Sequence, residues 1–319
     1  MTYFSAFTGV GGFELALRDH ACVGYSEIHR TALAVYRYHF PDHTPYGDIT
    51  QLDARAVPTF DLLVAGFPCQ AYSVAGHRRG FSDARGALFF DLARFIAAKR
   101  PRLLLLENVQ GLLNHADGQT FAAILAALDE LGYDCQWEVR HAREYTAQDR
   151  RRLFLIGHRR GTRRPQVFPL GARDPGLPPI AVTRSNGVWR SRSDVTTIDA
   201  SYAKGIDNHG QRTALYVPTR RRRRHALLQK MSDSARSVAQ TVTRSAGDGN
   251  LALAHAGRLR RLTPRECERL MTWPDDWTRY GVNEHGDRVE LSDRARYTLC
   301  GNGVVSAVAR PLLDILTHT

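Results

Sequence analysis

Short apolar runs alternate with amphipathic stretches over residues 3–150, the pattern of strand–helix–strand units that build a parallel sheet. Tyr3–Phe7, Cys22–Ser26, Leu62–Ala65, Leu103–Leu106 and Arg152–Ile156 are predicted strands. Phe13–Asp19, Thr31–His39, Leu88–Lys99 and Thr120–Leu131 are predicted helices, the last with apolar positions at helical spacing. Around Pro165–Pro179 the period gives way to Pro, Gly and Arg, the composition of a domain boundary. From there to about Gly257 no clean period survives, which predicts short irregular strands and loops in a second, smaller domain. Order returns at Thr263-Pro264-Arg265-Glu266, where Thr caps a helix, Pro takes its first position and Glu completes a capping box. Residues 304–316 predict a last apolar helix. The fold class is therefore α/β, a doubly wound and mostly parallel sheet with a smaller β-rich domain inserted late in the chain.

Composition narrows the class further. Of 319 residues, 43% are hydrophobic and 24% charged, a globular mixture that excludes disordered, collagen-like and coiled-coil chains. Aliphatic runs such as Leu103–Leu106 fall far short of the roughly 20 residues of a membrane span, so no membrane partner is expected. Thr2-Tyr3-Phe4-Ser5 carries no basic region ahead of the Gly-rich turn, so no signal peptide is expected either. Cys22, Cys69, Cys135, Cys267 and Cys300 are odd in number, scattered and without a CxxC. They predict neither a disulfide framework nor a metal site, and a cytoplasmic setting.

The net charge of +12 is unevenly divided. Residues 1–150 hold 14 basic against 17 acidic side chains, whereas 151–257 hold 20 against 6. An excess of arginine confined to one stretch suits a polyanion such as nucleic acid. A genome that writes Arg for Lys explains the residue type, but not the missing acidic partners. The run Arg220–Arg224 adds least, since such runs are often solvated loops.

Two loops carry candidate chemistry. Phe7-Thr8-Gly9-Val10-Gly11-Gly12-Phe13 joins the first strand to the first helix, with glycines that let a ligand approach the backbone. Packing alone makes many such turns glycine-rich, but two acids strengthen the signal. Glu27 closes the second strand, where a carboxylate grips ribose hydroxyls, and Asp48 in Gly47-Asp48-Ile49 suits an adenine amino group. The loop is GxGG rather than GxGxxG, which favours a nucleoside-type cofactor over a dinucleotide. Gly66-Phe67-Pro68-Cys69-Gln70-Ala71-Tyr72-Ser73 follows the strand Leu62–Ala65 and puts Cys69 on the sheet rim, beside Pro and Gln rather than in an apolar run. Polar, basic surroundings there favour a thiolate, while the other four cysteines read as structural. Glu107 ends the strand Leu103–Leu106, where desolvation raises a carboxyl pKa and lets it share a proton with a ring nitrogen.

In this order the blocks resemble the cytosine-C5 DNA methyltransferases. They are FxGxGG at 7–12, Glu27, GDI at 47–49, PCQxxS at 68–73, ENV at 107–109, QxRxR at 148–152, LTPRECERLM at 262–271 and GNxV at 301–304. The resemblance covers most of 1–157 and 258–316. It implies a Rossmann-like S-adenosyl-L-methionine-dependent methyltransferase of compact prokaryotic or phage type. The implied division is a catalytic and cofactor-binding domain over 1–162, a target-recognition domain over 163–257 and a C-terminal segment over 258–319.

The resemblance also assigns roles. Cys69 adds to C6 of a flipped-out cytosine, Glu107 binds N3 and the exocyclic amine, and Arg150 and Arg152 contact the base, Arg152 at O2. The methyl donor, S-adenosyl-L-methionine, is held by Phe7, Gly9, Gly11, Glu27, Ile28, Asp48, Ile49, Pro68, Leu88, Asn302 and Val304. Val74–Ser82, with Arg78 and Arg79, resembles a mobile catalytic loop that closes over DNA, and Gln70 and Ser73 face the same duplex. In the variable region Gln240-Thr241-Val242 resembles a Thr-aliphatic recognition element, making Gln211, Arg212, Gln240, Thr241 and Arg244 candidate DNA contacts. Two positions depart from the usual pattern: Gly303 stands where relatives carry Ser or Ala, and Thr272-Trp273 replaces Gly-aromatic before Pro274-Asp275. The expected partner is double-stranded DNA, read by a monomer, with any cognate restriction endonuclease acting separately. The alternative within the resemblance is a tRNA cytosine methyltransferase; its Cys-Phe-Thr tripeptide is absent from this sequence. A nucleotide-dependent oxidoreductase is disfavoured by GxGG, PCQ and ENV together.

Overall fold

The computed structural model describes residues 1–68, 87–162, 167, 195–196, 214–216, 240–243, 251–254 and 259–317. Six strands form the main sheet: β1 (Thr2–Ala6), β2 (Ala21–Ser26), β3 (Leu62–Gly66), β4 (Leu103–Val109), β5 (Tyr133–His141) and β7 (Arg151–Arg159). Their order is β2-β1-β3-β4-β7-β5. The first four are mutually parallel, and β7 runs antiparallel to both β4 and β5. Helices α1 (Arg30–His39), α2 (Ala87–Lys99), α3 (Gln119–Glu130), α4 (Pro264–Leu270), α5 (Asp293–Asn302) and α6 (Ser306–Thr317) complete the described frame.

Alternation along the strands explains why both faces are covered. Leu103 and Leu105 join Tyr3, Val64 and Ile156 in one core with the C-terminal Val308, Leu312 and Leu316. Leu104 and Leu106 point the other way, joining Phe4, Leu63 and Leu155 with Leu92, Phe95 and Ile124 of α2 and α3. A run of four leucines reads as continuous hydrophobicity because this strand is buried on both sides.

Gln148–Asp149 (β6) pairs with Val195–Thr196 (β8). A four-stranded sheet follows, from Ala214–Tyr216 (β9), Gln240–Thr243 (β10), Leu251–Ala254 (β11) and Leu259–Arg261 (β12), in the order β10-β11-β9-β12. Short strands were expected here.

The capping box forms as predicted: the Thr263 N–H donates to Glu266 at 2.7 Å, and the Glu266 N–H donates back to Thr263 Oγ1 at 3.3 Å.

One expected helix is corrected, one strand is added, and the last helix gains a neighbour. Phe13–Asp19 is a series of turns, not a helix: the backbone bonds switch irregularly between i+3 and i+4, the Phe13 carbonyl accepting from both Ala16 and Leu17, and residues 10–17 are all buried. Strand β5 was not predicted, although Tyr133, Cys135, Trp137 and Val139 alternate with Asp134, Gln136, Glu138 and Arg140, the pattern of a half-exposed edge strand. Asp293–Thr317 is long and apolar enough by composition to cross a bilayer, although the sequence contains no long aliphatic run. It is two helices, α5 and α6, broken at Gly303, and α6 packs Val308, Leu312 and Leu316 into the core.

One buried acid lies beneath the first loop. Glu14 is 1% exposed; Tyr36 Oη donates to its Oε1 at 3.1 Å, and burial pushes its pKa up to about 7. A folded-state pKa above the ordinary value means that stability present at acid pH is lost as pH rises toward 7. Glu14→Gln removes this dependence. Its melting temperature relative to wild type is expected to climb between about pH 4.5 and 7 and then level off. A gap that stays flat across this range would refute the assignment.

Candidate active site

The ends of β1 and β2 hold the first half of the site. The chain leaves β1 through Phe7 at φ +54° and Gly9 at φ +57°. An aromatic residue in the left-handed region is strained, and such strain gathers at ligand sites. The three glycines of this loop have different causes. A Cβ on Gly11 would strike the Phe40 ring, and one on Gly12 would meet the Val304 carbonyl at 2.8 Å, whereas Gly9 faces open space. Glu27, just past β2, ties the loop down: its Oε2 accepts from the Gly9 N–H at 2.9 Å, and its Oε1 accepts from Ile28 and His29 at 2.8 Å each. Ile28 is 65% exposed, an isolated apolar surface beside this carboxylate.

The neighbouring turn completes this side. Ser26 Oγ donates to the Gly47 carbonyl at 2.7 Å, and Asp48 Oδ1 accepts from Thr50 N–H at 2.9 Å. Ile49 is 2% exposed and packs in the core, so of the pair only Asp48 presents a side chain outward. Pro68 and Leu88 are half-buried, and Asn302 is exposed at the end of α5.

The second half forms where β3 and β4 run side by side. Gly66 and Glu107 are register partners. A Cβ built on Gly66 would lie 3.6 Å from Glu107 Oε2 and 3.7 Å from Val304 Cγ2, so the stem of the Cys69 loop, the carboxyl and the 301–304 segment meet at one point. Glu107 is 8% exposed, and Arg152 Nε stands 3.1 Å from its Oε1. Burial raises the Glu107 pKa; the Arg152 and Arg150 guanidiniums pull against that rise.

Arg150, expected at the base, lines the same cavity as Glu107 and also bonds the backbone beside it. It is 2% exposed and its guanidinium donates to the Gly301 carbonyl at 3.1 Å and the Gly303 carbonyl at 2.7 Å. Its role here is to hold the 301–304 segment against β7. The charge needed beside Glu107 comes from Arg152, which shares a small cavity with Glu107, Arg140, Arg150 and Val305.

Two residues escaped the sequence reading. Asn108 Nδ2 donates to the Phe67 carbonyl at 3.1 Å, which fixes the strand end leading to Cys69. Its place in ENV was the available signal. Arg140 enters the cavity from β5 as the cross-strand partner of Arg152, and the strict alternation of Tyr133–Arg140 was the available signal for that strand.

Cys69, Gln70, Ser73, Arg78, Arg79, Gln211, Arg212 and Arg244 lie outside the described residues, as do the side chains of Gln240 and Thr241.

A family model described as C-5 cytosine-specific DNA methylase matches residues 1–317. The chain belongs to that family. The type II methyltransferase M.HhaI of Haemophilus parahaemolyticus is 32% identical over 325 residues, covering 96% of this chain and 90% of that protein. M.NgoBV of Neisseria gonorrhoeae is 46% identical over 167 residues, 48% of this chain, and that match spans only 40% of the relative's length. Among solved structures, S. pombe Dnmt2 methyltransferase superposes with a TM-score of 0.66 at 17% identity, covering 100% of this chain and 98% of its own. A putative DNA modification methyltransferase encoded within an E. coli prophage gives 0.60 at 19% identity. At those identities the likeness bears on fold alone, and it is the α/β methyltransferase fold expected from the sequence.

Proposed function

We propose that this chain transfers a methyl group from S-adenosyl-L-methionine to C5 of a flipped-out cytosine in a specific double-stranded DNA sequence. The observation that carries the reading is the meeting of Gly66, Glu107 and Val304. It sets a desolvated, arginine-paired carboxyl beside the stem of the PCQ loop and beside the segment facing the glycine-rich turn.

The residues present fit the methyl donor. Glu27 and Asp48 offer carboxylate acceptors for ribose hydroxyls and an adenine amine, Ile28 an exposed apolar surface for a flat ring, and Gly9 open space for close approach. A carboxylate has roughly four acceptor directions, so Glu27 accepts a hydroxyl in addition to its three backbone N–H groups. When bound, the donor supplies an electrophilic methyl on a sulfonium. Glu27→Ala removes both the ribose acceptor and the tie to Gly9. It is expected to raise the dissociation constant for S-adenosyl-L-methionine by about 10- to 100-fold while DNA affinity holds. Equilibrium binding of each ligand checks this, and unchanged cofactor affinity would remove Glu27 from the pocket.

The chemistry runs through this chain's own groups. C5 of cytosine is a weak nucleophile until the ring is activated. The Cys69 thiolate adds to C6, while Glu107 holds N3 and the exocyclic amine and stabilises the charge that develops on the ring. Arg152, already on Glu107, faces O2. C5 takes the methyl, then loses its proton as the Cys69–C6 bond breaks and the aromatic ring returns. Extruding the base costs a few kcal/mol of stacking. The basic stretch 151–257 supplies the phosphate contacts that offset it.

DNA is favoured over tRNA by the relatives, which carry the names of type II methyltransferases and, in Bacillus phage SPR, an orphan methyltransferase. A cytoplasmic monomer acting on DNA, with any restriction endonuclease as a separate protein, belongs to the same proposal. Duplex DNA and tRNA offered side by side with labelled methyl donor test it: label in DNA is expected, and label in tRNA alone overturns it.

A further inference from the structure

Gly303 and the turn Thr272-Trp273, thirty residues apart, hold the two departures from the family pattern that the chemistry leaves unused, and the structure brings Gly303 against the aromatic residue of that turn, Trp273. Gly303 has φ −82° and ψ 171°, a conformation open to any residue, so backbone freedom does not require glycine there. Space does. A Cβ at 303 would lie 2.4 Å from Trp273 Cη2 and 2.5 Å from Cζ2. The indole, 3% exposed, fills the volume that a side chain at 303 would take.

The same indole is tied to the site. Trp273 Nε1 donates to the Val304 carbonyl at 3.1 Å. The turn that carries it is fastened to the start of α6, where Ala307 N–H donates to Thr272 Oγ1 at 2.9 Å and Ser306 N–H to the Met271 carbonyl at 3.3 Å. Val304 in turn stands between the two loops of the site: its carbonyl abuts Gly12, and its Cγ2 lies over Gly66 beside Glu107. Ser306 Oγ reaches the Gly12 carbonyl at 2.7 Å. Segment 301–306 is thus gripped from one side by Arg150 and from the other by Trp273. Trp273 holds Val304, the residue that touches both Gly12 of the cofactor loop and Gly66 beside the Glu107 carboxyl.

We infer that Trp273 is a positioning residue for the methyl-donor pocket. Its indole and the absent side chain at 303 form a matched pair that sets where Val304 stands between the glycine-rich loop and the Cys69 stem. This rests on the proposal that Val304 lines the S-adenosyl-L-methionine site. The pair then acts on cofactor binding without touching cofactor or DNA.

A double-mutant cycle tests it, with Gly303→Ala, Trp273→Phe and both together, read by equilibrium binding of S-adenosyl-L-methionine, by KM for cofactor and for DNA, and by melting temperature. Phe lacks the outer ring that meets the added methyl. Gly303→Ala alone is expected to weaken cofactor binding about tenfold through overpacking, and less than about twofold in the Trp273→Phe background. KM for cofactor moves and KM for DNA does not. An equal cost in both backgrounds, or a fall in melting temperature with cofactor affinity unchanged, overturns the inference. Should Gly303→Ala fail to fold, Trp273→Phe alone decides: cofactor KM raised several-fold with kcat within about threefold supports it, and unchanged KM sinks it. Val304→Ala separates the underlying reading. Unchanged cofactor affinity there removes Val304 from the pocket and the inference with it. Weakened affinity without coupling between 273 and 303 refutes the inference alone.

Discussion

Cys69→Ala is expected to bind duplex DNA and S-adenosyl-L-methionine and to transfer no methyl group. Without a thiolate on C6 the pyrimidine keeps its aromatic ring, and C5 has too little electron density to displace a methyl from sulfonium. Losses of about 10⁴- to 10⁶-fold in kcat follow removal of an obligatory nucleophile. Binding survives because the phosphate and cofactor contacts belong to other residues. The companion experiment uses a duplex in which the target cytosine carries fluorine at C5. Fluorine cannot leave as a proton does, so wild-type enzyme is expected to stay bonded to the DNA through Cys69, giving a complex that survives denaturing electrophoresis; the alanine variant gives none. Measurable methylation by Cys69→Ala, or an adduct mapped to another residue, would remove the covalent step.

The parts of this site that the sequence disclosed are those made by neighbours in the chain. Gly9 and Glu27 were legible because a strand, a glycine turn and the acid closing the next strand form a local signature; the Gly9 N–H donates to the Glu27 carboxylate at 2.9 Å. Glu107 was legible because the leucines before it mark a buried strand, so an acid at its end is desolvated. What stayed hidden depends on distant pairs. Arg150 bonds carbonyls 151 and 153 residues away, and nothing in QxRxR marks an arginine that clamps a distant backbone. Arg140 lies on the polar face of Tyr133–His141, where Asp134, Gln136, Glu138 and Arg140 alternate with Tyr133, Cys135, Trp137 and Val139; that pattern marks an edge strand but gives this arginine no role until its distant cross-strand partner Arg152 is known. The helix expected at Phe13–Asp19 is instead a run of buried turns, and nothing in those residues separates one from the other. The fit of Trp273 against Gly303 is a matter of volume, which no residue pattern encodes.

Glu107→Gln is expected to keep the pocket's shape and lower kcat by about 10²- to 10⁴-fold, the usual worth of a positioned proton donor. An amide still donates a hydrogen bond to the cytosine edge but cannot pass a proton to N3. The pH profile carries the sharper test. Burial raises the Glu107 pKa above the ordinary carboxyl value, so the protonated form persists to higher pH than in an exposed acid. Activity needs that form together with the Cys69 thiolate, so it climbs with pH as the thiol ionises and falls as Glu107 loses its proton. In Glu107→Gln the falling limb disappears while the rising one remains. Arg152→Ala separates charge from contact. The guanidinium 3.1 Å away pulls the carboxyl pKa down, so its removal moves the falling limb to higher pH even as the rate drops. Stability follows the same sign. A buried acid whose pKa is raised on folding loses stabilisation as pH rises through that raised value, so Glu107→Gln gains on wild type in melting temperature toward alkaline pH. A falling limb that survives in Glu107→Gln, or fails to move in Arg152→Ala, assigns the proton to another group and leaves Glu107 as a binding contact only.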